Sequence, residues 1–539
     1  MSRCFEFVEA KVRERGLGKP ADMVIFADSS VRIGSGHVMR CVALAQSWKR
    51  AGGRAEFVVR QESPGLIARI REEGFVVKEL AAGRTFRDAI GEQIRSEKFS
   101  LAVLDGYGFG SAEQIALENA GIQVLFLDDY GHAEHYPARW VLNHNPYAQA
   151  EPYARRNPET RLLLGLEYVL LREEFLPWLS WKPVVSDPPR KILVTMGGSD
   201  ADNASSKILE ALNRFAQTEK KYSFEVILAV GGGNPHLETI ERGNNSNAIR
   251  LQIVRDARNI PSLMAWADVA IAAAGGTALE LCYIGVPSLL FIAAENQRKL
   301  AESLDQRGAA VNAGATGQFN AGRFMSQFRA LFDSSTRRSL MSERGRSLVD
   351  GSGADRVRGA LTGRELQLRH ARESDCKLLF DWANDPAARA ASFHSASIRL
   401  EEHRRWFAEK LNNPLSLIYI GEDCSPNVAG QDATAQEAAC PRPVGQVRFQ
   451  LDGNSAVISV GVAPEFRGKG WGATLVSFAT RAVARNRLID RVDAFVKPQN
   501  AASIRLFQKT GFDNNGAADM AGQPALRFSW RCERRVYAG

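Results

Sequence analysis

Short apolar runs alternate with helical stretches along the first two thirds of the chain. Met23–Asp28 (MVIFAD) is apolar up to its last residue, the pattern of a parallel strand buried on both faces. A Gly-rich turn, Ser29–Gly36, follows, and a helix is predicted over His37–Ala51. Ala55–Arg60, Phe99–Asp105 and Gln123–Asp128 are further short apolar runs, and Ser111–Ala120 has helical spacing. After the Pro-rich break Ser186–Arg190 (SDPPR) the pattern restarts with Lys191–Met196, Gly-Gly-Ser-Asp and a helix. Phe224–Val230 before Gly231–Gly233, and Val269–Ala273 before Ala274-Gly275-Gly276-Thr277, repeat it. Alternation of this kind predicts doubly wound α/β layers with ligands at the C-terminal ends of the strands. The expected division is an N-terminal extension (1–22), two Rossmann-like halves (23–186 and 190–350) and a cleft between the halves.

A second break is expected near Asp350–Thr362, and from Leu366 the character changes to α+β. Val444–Gln450 and Ala456–Val462 alternate as antiparallel strands do. Gly421–Pro443 is small and polar and reads as a long loop between two strands. A third domain, 365–535, completes the expected architecture.

Composition narrows the function classes. The 539 residues are 45% hydrophobic and 24% charged, as in soluble globular proteins. The net charge of +8 is spread over 69 basic and 61 acidic residues with no basic arm. That argues against nucleic acid and suits small anions such as nucleotide diphosphates. Seven scattered cysteines with no CxxC pair argue against a disulfide framework or a zinc site and for a reducing compartment. No signal-peptide core and no run of about 18 apolar residues is present, so no membrane association is expected and a cytoplasmic enzyme is the default.

Candidate chemistry begins at Gly34-Ser-Gly36-His37-Val-Met-Arg40, between a strand and a helix. The glycines allow a tight turn and close approach of a ligand. His37, in the first helical turn, lies in the positive field of the helix start, which disfavours imidazolium and suits a general base. Arg40, three residues on, shares its helix face and could hold an anionic group. The same residues also fit a plain helix cap. In the second half, Gly275, Gly276 and Thr277 open a helix whose free N–H groups can bind a diphosphate, and Glu280 one turn in can take ribose hydroxyls. A buried helix with a solvated Glu is the alternative there. Glu295-Asn296-Gln297 begins another helix facing the same cleft.

The runs Arg32–Leu44, Leu142–Pro146 (LNHNP), Leu164–Phe175, Met196–Asp200 (MGGSD) and Ala272–Gln297 resemble the UDP-2,4-diacetamido-2,4,6-trideoxy-β-L-altropyranose hydrolases of pseudaminic acid biosynthesis. That family is similar to the two-domain inverting glycosyltransferases, and the resemblance covers roughly residues 22–350. It implies a glycosyltransferase B-like fold with His37 activating water, UDP leaving with inversion, and no metal. It places UDP against Gly275, Gly276, Thr277 and Glu280, with Gly198 and Ser199 near the phosphates, Gly36, Arg40 and Asn296 lining the site, and Asp105 and Tyr107 beside the sugar. Gly276 stands where many relatives have Ser, which leaves that phosphate contact to the backbone. A glycosyltransferase would need the same UDP site, so it remains the rival reading.

A second constellation follows the strand at Val460–Pro464: Arg467-Gly468-Lys469-Gly470-Trp471-Gly472, then a helix Ala473–Arg487. Turn and helix start together make an anion site. Gly461 could mark a bulge that splays the sheet. The strand Arg491–Val496, then Asn500-Ala-Ala-Ser503, a helix Ile504–Lys509 and Gly511-Phe512 complete a resemblance to the GNAT acetyltransferases over about residues 365–535. The resemblance implies acetyl-CoA as cosubstrate, held by Val460, Val462, Arg467, Gly468, Lys469, Gly470, Gly472, Asn500 and Ser503. Phe507 stands where many members have the Tyr that protonates the leaving thiolate. Trp382-Ala-Asn384-Asp385-Pro386, Arg389 and His403-x-x-Trp406-Phe407 resemble branches that acetylate amino-sugar nucleotides or protein N-termini, with Trp382 and Trp406 either at the acceptor site or in the core. Together the resemblances imply a fusion that N-acetylates a 4-amino UDP-sugar and then hydrolyses the product, with other enzymes of the same sugar pathway as further partners. The alternative is a UDP-sugar glycosyltransferase carrying an unrelated acetyltransferase.

Overall fold

A computed structural model describes residues 21–28, 35–61, 64–81, 83–96, 98–198, 200–231, 234–243, 248–425 and 441–532. These form two compact units, one within 19–176 and 183–357, the other within 177–182 and 358–534.

The first unit holds two parallel sheets. Strands β1 (Met23–Ala27), β2 (Ala55–Arg60), β3 (Val76–Leu80), β4 (Leu101–Asp105), β5 (Gln123–Leu127), β6 (Trp140–Asn143) and β7 (Arg161–Leu164) lie in the order β3-β2-β1-β4-β5-β6-β7. β1, β4 and β6 are buried along their whole length, which explains their unbroken apolar composition. The second sheet runs β10-β9-β8-β11-β12-β13, from β8 (Lys191–Thr195), β9 (Phe224–Val230), β10 (Ile249–Arg255), β11 (Val269–Ala273), β12 (Ser288–Ile292) and β13 (Val311–Ala315). In each sheet the winding reverses at one point, between β1 and β4 and between β8 and β11. Crevices open at such points, beyond the strands' C-terminal ends. The helix start at Gly36 and the turn Ala274–Thr277 lie there.

The stretch Asp350–Thr362, expected as a break, is mostly a helix, Gly353–Thr362. Its glycines look like punctuation, yet Ala354, Val357 and Ala360 are buried at helical spacing. Gly353 is needed for close approach: a Cβ there would lie 2.2 Å from the Val169 carbonyl oxygen. Asp355 then reaches the helix Gly36–Arg50, accepting from Ser47 Oγ at 2.5 Å and Arg50 Nη2 at 3.0 Å.

The second unit holds one sheet in the order β14-β15-β16-β17-β18-β20-β19. Its strands are β14 (Leu366–His370), β15 (Ser416–Asp423), β16 (Arg442–Asp452), β17 (Ser455–Val462), β18 (Arg491–Val496), β19 (Asp513–Met520) and β20 (Gln523–Arg531). The loop expected over Gly421–Pro443 is shorter at both ends, because β15 continues to Asp423 and β16 begins at Arg442; residues 426–440 lie outside the described residues. Residues 177–182 pack with this unit, where Ser180 Oγ donates to Asp490 Oδ1 at 2.6 Å. No helix among the described residues is long and apolar enough to cross a membrane.

Gly353→Ala is expected to lower the unfolding midpoint of the first unit by the equivalent of about 1–3 kcal/mol, the usual cost of overpacking. Gly65→Ala, in a helix with open space around it, should hold or slightly raise the same midpoint. Differential scanning calorimetry of the two variants checks both.

Candidate active sites

The helix Gly36–Arg50 starts at the β1–β4 reversal and buries His37 to 6% exposure. Arg40, one turn on, points inward between two carboxylates. Its Nε and Nη2 donate to Asp105 at 2.7 Å each, and its Nη1 donates to Asp129 at 2.8 Å. Arg40 was expected to hold a ligand anion; the protein's own carboxylates occupy all three of these donors. Asp105, at the end of β4, is fully buried and also accepts from Cys41 Sγ at 3.3 Å. Burial by itself would raise both carboxyls, but Arg40 outweighs it and holds Asp105 and Asp129 below the ordinary carboxylate range. Burial opposes the charge on Arg40 in turn, and the two carboxylates more than restore it. The triad is therefore ionised throughout, and both carboxylates act electrostatically on the His37 ring.

Tyr107 continues the site. Its ring meets His37 edge-on at 4.7 Å between centroids, and its hydroxyl accepts from Asn296 Nδ2 at 2.5 Å. Burial and Asp129 push the Tyr107 hydroxyl upward, so it stays protonated. A Cβ at Gly106 would lie 2.5 Å from Asp28 Cβ, so only glycine lets β4 turn here. Asn145 Nδ2 donates to Asp129 Oδ1 at 3.0 Å and to Asn143 Oδ1 at 2.9 Å. His144 between them is 8% exposed, and burial followed by Arg40 pushes it down to about 4, so its ring is neutral near pH 7. The Nδ1 atoms of His37 and His144 are both buried without a partner.

The opposite wall comes from the second sheet. Gly275 caps the helix Gly276–Ile284 with no side-chain bond to its first N–H groups, and a Cβ at Gly276 or Gly198 would meet nothing within 4 Å. The helix start and the β8 turn thus face open space. Ser199 and Gly34 lie outside the described residues. Thr277 is half-buried in the first turn. Glu280 was expected to take both ribose hydroxyls. One of its oxygens, Oε1, already accepts from Arg172 Nη2 at 2.9 Å. Asn296 sits in a 3-10 turn, Glu295–Gln297, that leads into the helix Arg298–Gln306. Its neighbour Gln297 places Nε2 3.6 Å from where a Gly275 Cβ would be. Two further bonds cross the cleft near Asn296: Arg307 Nη2 donates to the Pro146 carbonyl at 3.1 Å, and Lys299 Nζ lies 5.9 Å from the Tyr147 ring centre. Contacts therefore run from His37 through Tyr107 to Asn296, whose neighbour Gln297 lies beside the Gly275 turn.

Residue-by-residue reading of the sequence missed Asp129, His144, Asn145 and Arg172 as members of this cleft. The Asp128-Asp129 doublet at a strand end was the available signal for the first. Asp128 accepts three backbone N–H groups, from Tyr130, Gly131 and His132, and so shapes the loop that delivers Asp129.

In the second unit, β17 pairs in parallel with β18 only at Ser455–Val457, and the two strands then part. The splay expected at Gly461 is present without a bulge, since β17 stays in unbroken antiparallel register with β16 through Gly461. Val460 and Val462 are half-buried beside the gap. Gly468 and Gly470 adopt φ of 74° and 86°, open to glycine at no cost, and Gly470 caps the helix Trp471–Arg487 without a side-chain bond. A Cβ at Gly468 would meet nothing within 4 Å, and one at Gly472 would touch Val462 at 3.4 Å. Lys469 is exposed at the turn. Arg467, expected to flank a pyrophosphate, is instead tied to Asp385 Oδ1 at 2.7 Å and to the Val462 carbonyl at 3.1 Å. Asn500 caps the helix Ala501–Lys509, its Oδ1 accepting from Ser503 N at 3.1 Å. Phe507 is 4% exposed and packed on Phe512 and Phe528, so it belongs to the core. The open turn, uncapped helix start and splayed strands fit an extended, phosphate-bearing cosubstrate. Among the described residues no group of three or more His, Cys, Asp or Glu side chains could hold a metal ion.

Residues 365–513 match the acetyltransferase (GNAT) domain family, and residues 191–335 match the glycosyltransferase family 28 C-terminal domain. The chain is 27% identical over 339 residues to the spore coat polysaccharide biosynthesis protein SpsG of Bacillus subtilis, covering 62% of this chain and 96% of that one. It is 22% identical over 514 residues to an uncharacterized protein of Methanocaldococcus jannaschii, covering 91% and 96%. It is 27% identical over 290 residues to the UDP-2,4-diacetamido-2,4,6-trideoxy-beta-L-altropyranose hydrolase of Campylobacter jejuni, covering 53% and 96%. The M. jannaschii relative spans both units, so the joining of the two parts is not confined to this chain.

Arg40→Met leaves two carboxylates buried and unpaired, and is expected to cost the first unit about 3–5 kcal/mol at neutral pH. In the native protein the depressed carboxyls contribute stability above about pH 4, lost as pH falls through their folded values. In the variant burial dominates and raises them, so the deficit should shrink on acidification as they protonate. Denaturant unfolding at pH 7 and pH 5 reads the difference; an equal deficit at both would contradict this account.

Proposed function

We propose, for a chain that joins a glycosyltransferase family 28-like part to a GNAT acetyltransferase domain, two consecutive reactions on one nucleotide sugar. The acetyltransferase domain N-acetylates a 4-amino UDP-sugar with acetyl-CoA. The cleft then hydrolyses UDP from the product, UDP-2,4-diacetamido-2,4,6-trideoxy-β-L-altropyranose, without a metal and with inversion, in the cytoplasm. The observation that carries the hydrolytic reading is the run of contacts from His37 through Tyr107 to Asn296, whose neighbour Gln297 lies beside the Gly275 turn. It supports the reading in which a histidine with a buried, unpartnered Nδ1 faces, across one cleft, a helix start that has no side-chain cap.

In this mechanism His37 takes a proton from water as the water oxygen bonds to the anomeric carbon. The bond from that carbon to the diphosphate oxygen breaks, and the departing charge is received by the N–H groups of Gly276 and Thr277 and by the helix dipole. Asp105 and Asp129, fixed by Arg40, offset the positive charge that His37 acquires. Tyr107 and Asn296 close the sugar pocket, and Glu280, oriented by Arg172, faces the nucleoside. In the other unit, backbone N–H groups near Val462 and the turn Gly468–Gly472 would hold acetyl-CoA, which supplies the activated acetyl group. With Phe507 in the core, the departing thiolate takes its proton from another group or from water. Similarity to the C. jejuni hydrolase over 96% of that protein supports the choice of sugar.

The family 28 match favours a second reading, transfer of the sugar to an acceptor other than water. Incubating the chain with acetyl-CoA and the 4-amino UDP-sugar separates the two. Free 2,4-diacetamido sugar and UDP are expected; acetylated nucleotide sugar that persists until a sugar acceptor is added would favour transfer. His37→Ala should slow UDP release about 10²–10⁴-fold with UDP affinity roughly kept, because the UDP contacts lie on the other wall. Unchanged release would make His37 structural.

A further inference from the structure

The face of the second unit's sheet opposite the helix Trp471–Arg487 changes character from strand to strand. At β15 it is apolar: Ile418 and Ile420 pack under Leu379 and Phe407 from the helices Cys376–Asn384 and Leu400–Asn412. At β16 and β17 it turns polar. Val447 and Phe449 point into the core with Ile458, so their neighbours Gln446 and Arg448 face the other way, paired across the strands with Gly461 and Ser459. Arg448 Nη2 donates to Ser459 Oγ at 3.2 Å, and its guanidinium lies 5.2 Å from the Trp406 ring centre. Arg389, on the helix Pro386–Ala391, donates to the His394 carbonyl at 3.0 Å, the Ala396 carbonyl at 3.3 Å and Ser392 Oγ at 3.1 Å.

These partners are all neutral. Among the described residues no carboxylate pairs with Arg389 or Arg448, whereas Arg369 has two, Asp375 and Glu422, and Arg467 has Asp385. The two guanidiniums stand close enough to repel, since Arg389 is the charge that, after burial, holds Arg448 below its ordinary value. Three buried polar atoms in the same region have no partner: Arg389 Nε, His403 Nε2 and Gln446 Oε1, the last in a side chain only 7% exposed. Two half-buried cations without a counter-charge and a buried acceptor without a partner are unfavourable with nothing bound. We infer that Arg389 and Arg448 form a phosphate subsite for the acetyl acceptor, so that the acetyltransferase domain selects an amine carried on a phosphate or diphosphate. The direction of binding follows from the strand. Gln446 is two residues from Arg448, about 6.6 Å, and adjoins Gly461 and Val462 at the splay. The amine end would lie at Gln446 and the phosphate end at the arginines, one sugar ring apart.

The inference deepens the amino-sugar nucleotide reading and rests on it for the acceptor's identity. Its test uses the full chain, with thiol release from acetyl-CoA as readout, and compares a UDP-linked 4-amino sugar with the methyl glycoside of the same sugar. Arg448→Gln and Arg389→Gln should each raise KM for the UDP-linked acceptor about ten- to a hundred-fold, the range of a charge-assisted contact. The preference for the UDP-linked acceptor over the glycoside should fall by the same factor, and Arg448→Lys should recover part of it. KM for acetyl-CoA should not rise in parallel; if it does, the arginines serve the phosphates of CoA and the inference is overturned. An unchanged preference overturns it as well. If the native chain ignores the UDP-amino sugar, the proposed acceptor is wrong. The subsite then stands or falls on whether UDP inhibits acetylation of another amine in the native chain and not in Arg448→Gln. Should Arg448→Gln fail to fold, Arg389→Gln and Arg389→Lys carry the same comparison.

Discussion

One guanidinium organises the cleft of the first unit. Arg40 closes three hydrogen bonds onto Asp105 and Asp129, residues from the ends of two different strands, and so joins helix, β4 and the loop after β5 around a single charge. Two buried carboxylates without it would repel each other and seek protons. With it they remain charged, Asn145 has an acceptor to hold, Tyr107 has a neighbour that keeps its hydroxyl protonated, and His37 sits beside fixed negative charge. A lysine could supply the charge but not the planar fork that spans both acids. The chain thus commits its most obvious cleft cation to internal order, while the helix start across the cleft has no side-chain cap.

A similar assignment governs the second unit. Arg467 has the place in the motif where a phosphate ligand is expected, and the structure ties it to Asp385 and to the end of β17. Arg448 on β16 and Arg389 on the short helix after Asp385, by contrast, pair with no carboxylate among the described residues.

The strands were legible in the sequence because they are short runs dominated by apolar residues: Phe224–Val230, Val269–Ala273 and Arg491–Val496 begin and end where the pattern placed them. The helix Gly353–Thr362 was not, because Gly351 and Gly353 serve close packing and resemble punctuation. The glycine turns and His37 were legible because their chemistry is local. The charged partners of Arg40, Glu280 and Arg467 were not, since each comes from 65 or more residues away in the chain and is chosen by the fold. A bulge at Gly461 was the natural guess for a splayed sheet, yet the splay comes from β18 leaving β17 after three paired residues.

That early parting leaves the sheet of the second unit unfinished. Beyond Val457 one side of β17 offers main-chain donors and acceptors toward a strand that has turned away. Such an edge is elsewhere an invitation to unwanted self-association. Here it is an interior slot flanked by two strands, not an open edge. Whatever fills it completes the hydrogen-bonding of the sheet, so occupancy and folding are thermodynamically linked: the domain should be more cooperative and more resistant to local opening when the slot is filled, by an amount set by ligand concentration relative to its dissociation constant.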